Sequence, residues 1–256
     1  MYRIFAIGDI HGEMGNLNNI WEKMLAMGFS FENGDTIVQG GDRCDRGPDT
    51  FEVNDFFFQK WKQYPNQVIC LRGNHEDMMI NAANRPEGNM QIFLYNGGNA
   101  TIASYSKASG LHGVPFYYML RDSGHWEWLI NQPLYHETNK YFFCHAPLSI
   151  HSTPDFRNDK NTLIWTWEGD QTHYWVDHHL DDEKIYIHGH IHGLYKDRTD
   201  GKIKSPGVRR HGNSILLDTG SGCSPGAALS CLILPNLTVF DTHGNIYEPN
   251  RIDKPV

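Results

Sequence analysis

The chain predicts an α/β fold whose second half turns α+β, and three observations carry that reading. Up to residue 83, short β-rich runs alternate with segments whose apolar residues recur at helical spacing. From residue 134 on, strand-like runs dominate, separated by turn signals. Polar, glycine-flanked motifs stand where the apolar runs end, which is where α/β sheets open their ligand crevices.

The elements follow in order. Tyr2–Ile7 is a β-rich run, and Glu13–Met27 carries Leu17, Ile20, Trp21, Met24 and Leu25 on one helical face. Thr36–Val38 predicts a second strand, Thr50–Trp61 a helix, Gln67–Leu71 a third strand and Glu76–Ala83 a further helix. A β-α-β-α-β order implies parallel strands with right-handed crossovers. Later, Leu134–Glu137 and Tyr141–Cys144 flank Thr138-Asn139-Lys140 as a hairpin, and Lys184–Ile187 is a strand. Ser214–Leu217, Leu229–Leu234 and Thr238–Asp241 read as antiparallel strands, with Pro235-Asn236 turning the last pair. Residues 86–130 are least patterned and are expected to form a helical cap or insertion beside the site.

With 256 residues, 39% hydrophobic and 20% charged, the composition is that of a globular enzyme. A single domain over residues 1–256 is expected, because the candidate ligands run from Asp9 to His192 without a linker. A formal charge of -8 argues against general nucleic-acid binding. A mean hydropathy of -0.53 argues against a membrane span. Phe5–Gly8 already forms a strand entering the first motif, leaving no room for a signal peptide. The five cysteines are odd in number and lack CxxC spacing, so a reducing, cytoplasmic setting is expected.

Five motifs hold the chemistry: Gly8-Asp9-Ile10-His11-Gly12, Gly41–Gly47, Arg72-Gly73-Asn74-His75-Glu76, Cys144-His145-Ala146 and Gly189-His190-Ile191-His192. Asp9 and His11, two residues apart in an extended segment, point the same way and can reach one ion. Asp42 offers two oxygens and can bridge two ions, which an imidazole cannot. Arg46 presents the planar fork that suits phosphate oxygens, and Arg72 can share the side of Asn74. If Asn74 faces a metal, its neighbour His75 faces elsewhere, toward a leaving group. His190 and His192 repeat the i, i+2 spacing, with His188 ambiguous beside them. Asp218 ends a strand and can orient a ligand histidine. His173, His178 and His179 read as solvent-facing, and His112, His125, His136, His151, His211 and His243 have no partner motif. Oxygen and imidazole donors from several loops suit a pair of divalent ions, the arrangement matched to in-line displacement at phosphorus.

On these blocks the sequence resembles the calcineurin-like metallophosphoesterases, and within them the bacterial and phage-type serine/threonine phosphoprotein phosphatases. Leu71–Ile80 with Asn96-Gly97-Gly98 downstream is similar to the phage lambda phosphatase group. The resemblance implies a four-layer sandwich of two mixed β-sheets flanked by helices. It implies one metal held by Asp9, His11 and Asp42, and a second held by Asp42, Asn74, His145 and His190. It also implies His75 as general acid paired with Asp45, and Arg46 and Arg72 as phosphate ligands. His192, present in broader metallophosphoesterases, becomes an expected extra ligand of the first metal. Where the lambda-like group has an arginine after its Ile-Trp pair, Ile164-Trp165-Thr166 is followed by Trp167, which leaves room for a diester or anhydride.

The expected reaction is attack on phosphorus by a hydroxide shared between two divalent ions, manganese foremost, with iron, zinc or cobalt as alternatives. A phosphorylated protein or a small phosphoester or nucleotide is the expected partner, with no membrane. Glu76 favours a protein phosphatase. Trp165, Trp167, Tyr174 and Trp175 favour a nucleotide hydrolase if they line the cleft. A non-catalytic metal-binding scaffold would require a missing ligand or acid, and none is missing.

Overall fold

The computed structural model describes residues 2–148, 155–166, 183–197, 199 and 202–251, and its strands divide mainly between two six-stranded mixed sheets. In chain order the strands are β1 (Ile4–Ile7), β2 (Thr36–Gln39), β3 (Val68–Cys70), β4 (Tyr135–Glu137), β5 (Tyr141–Cys144), β6 (Ile185–His188) and β7 (Tyr195–Lys196). They continue with β8 (Ile203–Lys204), β9 (Arg209–His211), β10 (Ser214–Leu216), β11 (Ser230–Leu234), β12 (Thr238–Asp241), β13 (Ile246–Tyr247) and β14 (Asn250–Arg251). The helices are α1 (Met14–Ala26), α2 (Thr50–Gln63), α3 (Asn74–Asn84), α4 (Pro86–Phe93), α5 (Asn99–Ser109), α6 (Phe116–Asp122), α7 (His125–Ile130) and α8 (Lys160–Trp165).

The first sheet runs β13-β12-β11-β1-β2-β3, with β1, β2 and β3 parallel and β11 antiparallel to β1. The second runs β14-β9-β10-β6-β5-β4, with β5, β6 and β10 parallel. Strand alternation explains why the sheets face each other. Phe5 and Ile7 of β1, with Cys231 and Ile233 of β11, turn into a core shared with the helices. Ala6, Val38, Leu232 and Leu234 turn the other way and meet Phe143, Ile187 and Ile215 of the second sheet. The outer face of that sheet, Phe142 and Tyr186, is covered by Phe156, Leu163 and Ile164. The result is two sheets between helical layers.

Residues 86–130 are mostly helical, with an irregular link over 110–115, and Phe93, Tyr105, Phe116 and Leu120 from this stretch enter the same core as α1–α3. Two details depart from the sequence reading. Asn74 and His75 open α3 rather than lying in an extended loop. Ser214–Leu216 pairs parallel with β6 and antiparallel only with β9, a long-range pairing that local pattern does not encode. His151, Trp167, His173, Tyr174, Trp175, His178 and His179 lie outside the described residues.

Candidate metal centre

Every candidate ligand leaves the carboxyl end of a strand. Asp9 and His11 follow β1, Asp42–Arg46 follow β2, Asn74 and His75 follow β3, His145 follows β5 and His190 follows β6. The parallel strands therefore aim five loops at one crevice between the sheets. The loops bend hard there. Six non-glycine residues among those described have positive φ, and five of them are His11, Asp42, Asp45, Arg46 and His190. Such backbone is rare outside glycine, and it concentrates at functional sites because packing elsewhere holds it. Glycine allows the closest approaches: a Cβ on Gly73 would sit 2.1 Å from Asp42 Oδ1, and one on Gly189 2.0 Å from Asp9 Oδ1.

Glu76 fixes this backbone, a role the sequence reading missed. Its Oε2 accepts from the Asp42 and Gly73 amides at 2.8 Å each, and its Oε1 from the Arg43 amide at 2.7 Å. The signal was available: a Glu three residues after a helix N-cap reaches back to that cap's amide. Arg43, fully buried, ties the same loop to Gln39, Asn54, Gln132 and the Leu71 carbonyl.

Asp42 stands at the centre. Its Oδ1 lies 3.3 Å from His145 Nε2, and its Oδ2 lies 3.6 Å from His11 Nε2 and 3.9 Å from His75 Nε2. Two groups of donor atoms form around it, each spanning under 4.8 Å: His11, Asp42 and His75, and Asp42, His145 and His190. Asn74 Oδ1 joins the second group, 2.9 Å from His145 Nε2 and 3.1 Å from His190 Nδ1.

The donor chemistry fits cations. His145 Nδ1 faces the Gly40 carbonyl at 3.0 Å and donates to it, which leaves Nε2 against Asn74 Oδ1 and Asp42 Oδ1. Two oxygens converging on this nitrogen call for positive charge there, supplied by a proton on Nε2 or by a cation in its place. His11 repeats the pattern: Nδ1 donates to the Cys44 carbonyl at 2.8 Å and Nε2 is left for Asp42 and Arg46. Asp9 is buried, and its Oδ1 has no hydrogen-bond partner, while Oδ2 accepts from the His190 amide at 3.0 Å.

The electrostatics agree. Burial, then Asp218 and Asp42, push the Asp9 carboxyl well above its usual range. Burial opposes charge on His145, yet Asp42 and Asp9 drive its pKa up to about 10, a sign of surplus negative charge. Burial would also raise Asp42, but His145 and His75 hold it well below the usual carboxylate range. Burial first, and then neighbouring cationic groups, lower His11 strongly and take His190 down to about 3. Both are thus the neutral imidazoles that ligation requires.

Beside the donors, His75 Nδ1 meets Asp45 Oδ2 at 2.7 Å, and Thr101 Oγ1 donates to Asp45 Oδ1 at 2.7 Å. Arg46 reaches His75 Nε2 at 3.0 Å, His11 Nε2 at 2.6 Å and Cys223 Sγ at 2.7 Å. Arg72 faces the Ile130 carbonyl at 2.6 Å and Asp77 at 3.6 Å. His192 is half-buried, accepts from the Leu194 amide at 2.9 Å, and sits outside both donor groups, with Asp218 as its charge partner. His188 turns into the second sheet, 3.1 Å from Ser214 Oγ, where burial takes its pKa down to about 3. His125 is buried against Tyr105 and Asp55, far in role from the donor set.

Two facing mixed sheets with histidine, aspartate and asparagine donors on their strand ends define the metallophosphoesterase class. The chain belongs to the calcineurin-like phosphoesterase family, whose model matches residues 2–194. Serine/threonine-protein phosphatase 2 of Escherichia coli (strain K12) is 33% identical over 96 residues, 38% of each chain. Serine/threonine-protein phosphatase 1 of Salmonella typhimurium is 22% identical over 184 residues, covering 68% of this chain and 77% of that one. The chain thus spans under two fifths of the first of these relatives. Among solved structures, the cold-active protein-tyrosine phosphatase of a psychrophilic Shewanella covers 96% of this chain and 79% of its own, with a TM-score of 0.62 at 19% identity. A protein assigned as a diadenosine tetraphosphatase covers 93% and 92%, with a TM-score of 0.56 at 17% identity. At such identities the two structures share the fold.

Proposed function

We propose that the protein is a phosphomonoesterase of the serine/threonine protein phosphatase type that uses two divalent cations. The observation that supports this most is the sharing of Asp42 between two donor groups, beside a His75–Asp45 pair and the Arg46 guanidinium. Asp9, His11 and Asp42 would hold one cation, with His192 as a further ligand. Asp42, Asn74, His145 and His190 would hold the other. Mixed nitrogen and oxygen donors suit manganese, iron, zinc or cobalt over calcium, and manganese is the reading carried forward. Such ions, when bound, supply Lewis-acid charge that lowers the pKa of water and steadies developing charge on phosphoryl oxygens.

The chain's own groups do the rest. Protonated at both ring nitrogens, His75 hands the Nε2 proton to the leaving oxygen and keeps the Nδ1 proton hydrogen-bonded to Asp45, a step worth about 10²–10⁴-fold. Asp45, 2.7 Å from Nδ1, holds the ring and its tautomer, and Thr101 holds Asp45. Arg46 and Arg72 bind the non-bridging oxygens, and the nearness of Arg46 to His75 Nε2 puts oxyanion binding and proton donation side by side. The relatives named as serine/threonine phosphatases support a phosphoprotein substrate, as does Glu76 after Asn74-His75. All five cysteines are unpaired, in keeping with a cytoplasmic setting. Among the described residues no helix is long and apolar enough to cross a membrane.

Manganese-dependent rates on a phosphoserine peptide, p-nitrophenyl phosphate, its bis-ester and diadenosine tetraphosphate, measured in parallel, test this reading. The phosphopeptide should be turned over fastest. A clear preference for the bis-ester or the dinucleotide would move the substrate class to diesters or anhydrides.

A further inference from the structure

Asp77 lies on the first turns of α3, 5% exposed, and gathers cations from two directions. Lys160, at the start of α8, places Nζ 3.1 Å from its Oδ1 and 3.0 Å from its Oδ2. Asn81 Nδ2 donates to Oδ2 at 3.2 Å. Arg72 Nη1 stands 3.6 Å from Oδ1, beyond the range in which an N–H makes a useful hydrogen bond. The carboxylate is therefore satisfied by the lysine and the asparagine, and it attracts the arginine without capturing it. Arg72 is anchored by one short bond, Nη2 to the Ile130 carbonyl at 2.6 Å, and its buried Nε has no partner. Of its five N–H donors, most remain free to meet an anion.

We propose that Lys160 is a positioning residue: by occupying Asp77 it keeps Arg72 available to the substrate phosphoryl group. This rests on the reading of Arg72 as a phosphate ligand. Lys160 need not touch the substrate. Its ammonium is partly exposed on the α8 side, and its influence passes through the shared carboxylate. Without it, Asp77 draws the Arg72 fork into a bidentate pair, the geometry that arginine and carboxylate favour, and the substrate loses a ligand. Charge at the mouth then affects KM through a competition between two cations for one anion.

The test is a double-mutant cycle on the manganese-loaded enzyme, read as KM for p-nitrophenyl phosphate and as Ki for inorganic phosphate. Lys160→Met should raise both about three- to tenfold, in the range of couplings between residues that share a partner, with kcat less affected. Asp77→Asn added to Lys160→Met should return both to within about twofold of wild type, because no carboxylate is left to capture Arg72. A lysine with only a structural role would not produce that rescue. Unchanged constants in Lys160→Met overturn the proposal, as does a loss that persists in the double variant, which would mean that Lys160 contacts the substrate directly. Arg72→Gln separates the underlying reading: if it leaves KM and Ki unaltered, Arg72 is no phosphate ligand and the positioning role falls with it.

Discussion

Replacing Glu76 with glutamine changes one oxygen to an NH2 group and should unseat the loop that carries Asp42. The carboxylate accepts three backbone amides at 2.7–2.8 Å and lies 3.5 Å from the Arg43 guanidinium, with both side chains wholly buried. An amide has one carbonyl oxygen. If it keeps the Asp42 and Gly73 amides, the NH2 group faces the Arg43 amide and guanidinium, donor against donor. Losing a charge-assisted hydrogen bond costs about 1.5–3 kcal/mol, and leaving a buried charge without its partner costs about 3–5 kcal/mol. These overlap, so a total of about 3–5 kcal/mol follows. At about 2–4 °C per kcal/mol for a chain of this size, Tm should fall by about 6–20 °C. Differential scanning calorimetry gives that shift, and titration calorimetry with manganese should show weakened binding, because Asp42 loses the support of its own amide. A Tm within about 2 °C of wild type, with undiminished manganese affinity, would refute the claim that Glu76 sets the Asp42 loop.

Three further outcomes are expected. His75→Asn should lower kcat by about 10²–10⁴-fold on a substrate with a poor leaving group while metal content stays near wild type; equal turnover would remove His75 as the acid. Arg157, then Lys184, hold the Glu137 carboxyl down to about 2, below its ordinary 4.5. The stabilisation from this depressed pKa is therefore present above pH 4.5 and lost as pH falls toward about 2. The urea-midpoint gap between wild type and Glu137→Gln should close across that window, and a gap constant from pH 6 to pH 2 would contradict it. Chelation of a protein first held at manganese near 100 times its Kd should remove about 2.7 kcal/mol of stability, seen as a Tm drop of about 5–11 °C; an unmoved Tm would argue against tight binding to the folded state.

The sequence made the strand-end logic legible. Each of β1, β2, β3 and β6 begins or ends within two residues of the expected run, because period and length alone define such short apolar segments. The motif residues came with them, since a strand's carboxyl end fixes where the next loop points. Other features depend on contacts made across the chain. Nothing local says that Ser214–Leu216 lies parallel to β6, or that Asn250–Arg251 pairs with β9. Glycine and proline also blurred residues 86–113, where Gly88 and Gly97 interrupt helical backbone with positive φ. At the site, histidine spacing alone could not separate His190, which meets Asn74, from His188, which turns to Ser214. That difference arises because β6 ends at His188 and the chain turns at Gly189, where His190 takes a positive φ that swings it out of the strand's alternation. Asp77 and Lys160 escaped notice because they are 83 positions apart.

Anomalous diffraction at the manganese edge, from crystals grown with excess manganese, tests the central claim most directly. Two peaks should flank the Asp42 carboxylate, about 3.5–4 Å apart, one toward Asp9 and His11 and the other toward Asn74, His145 and His190. Peaks confined to surface carboxylates, with none against Asp42, would contradict the account.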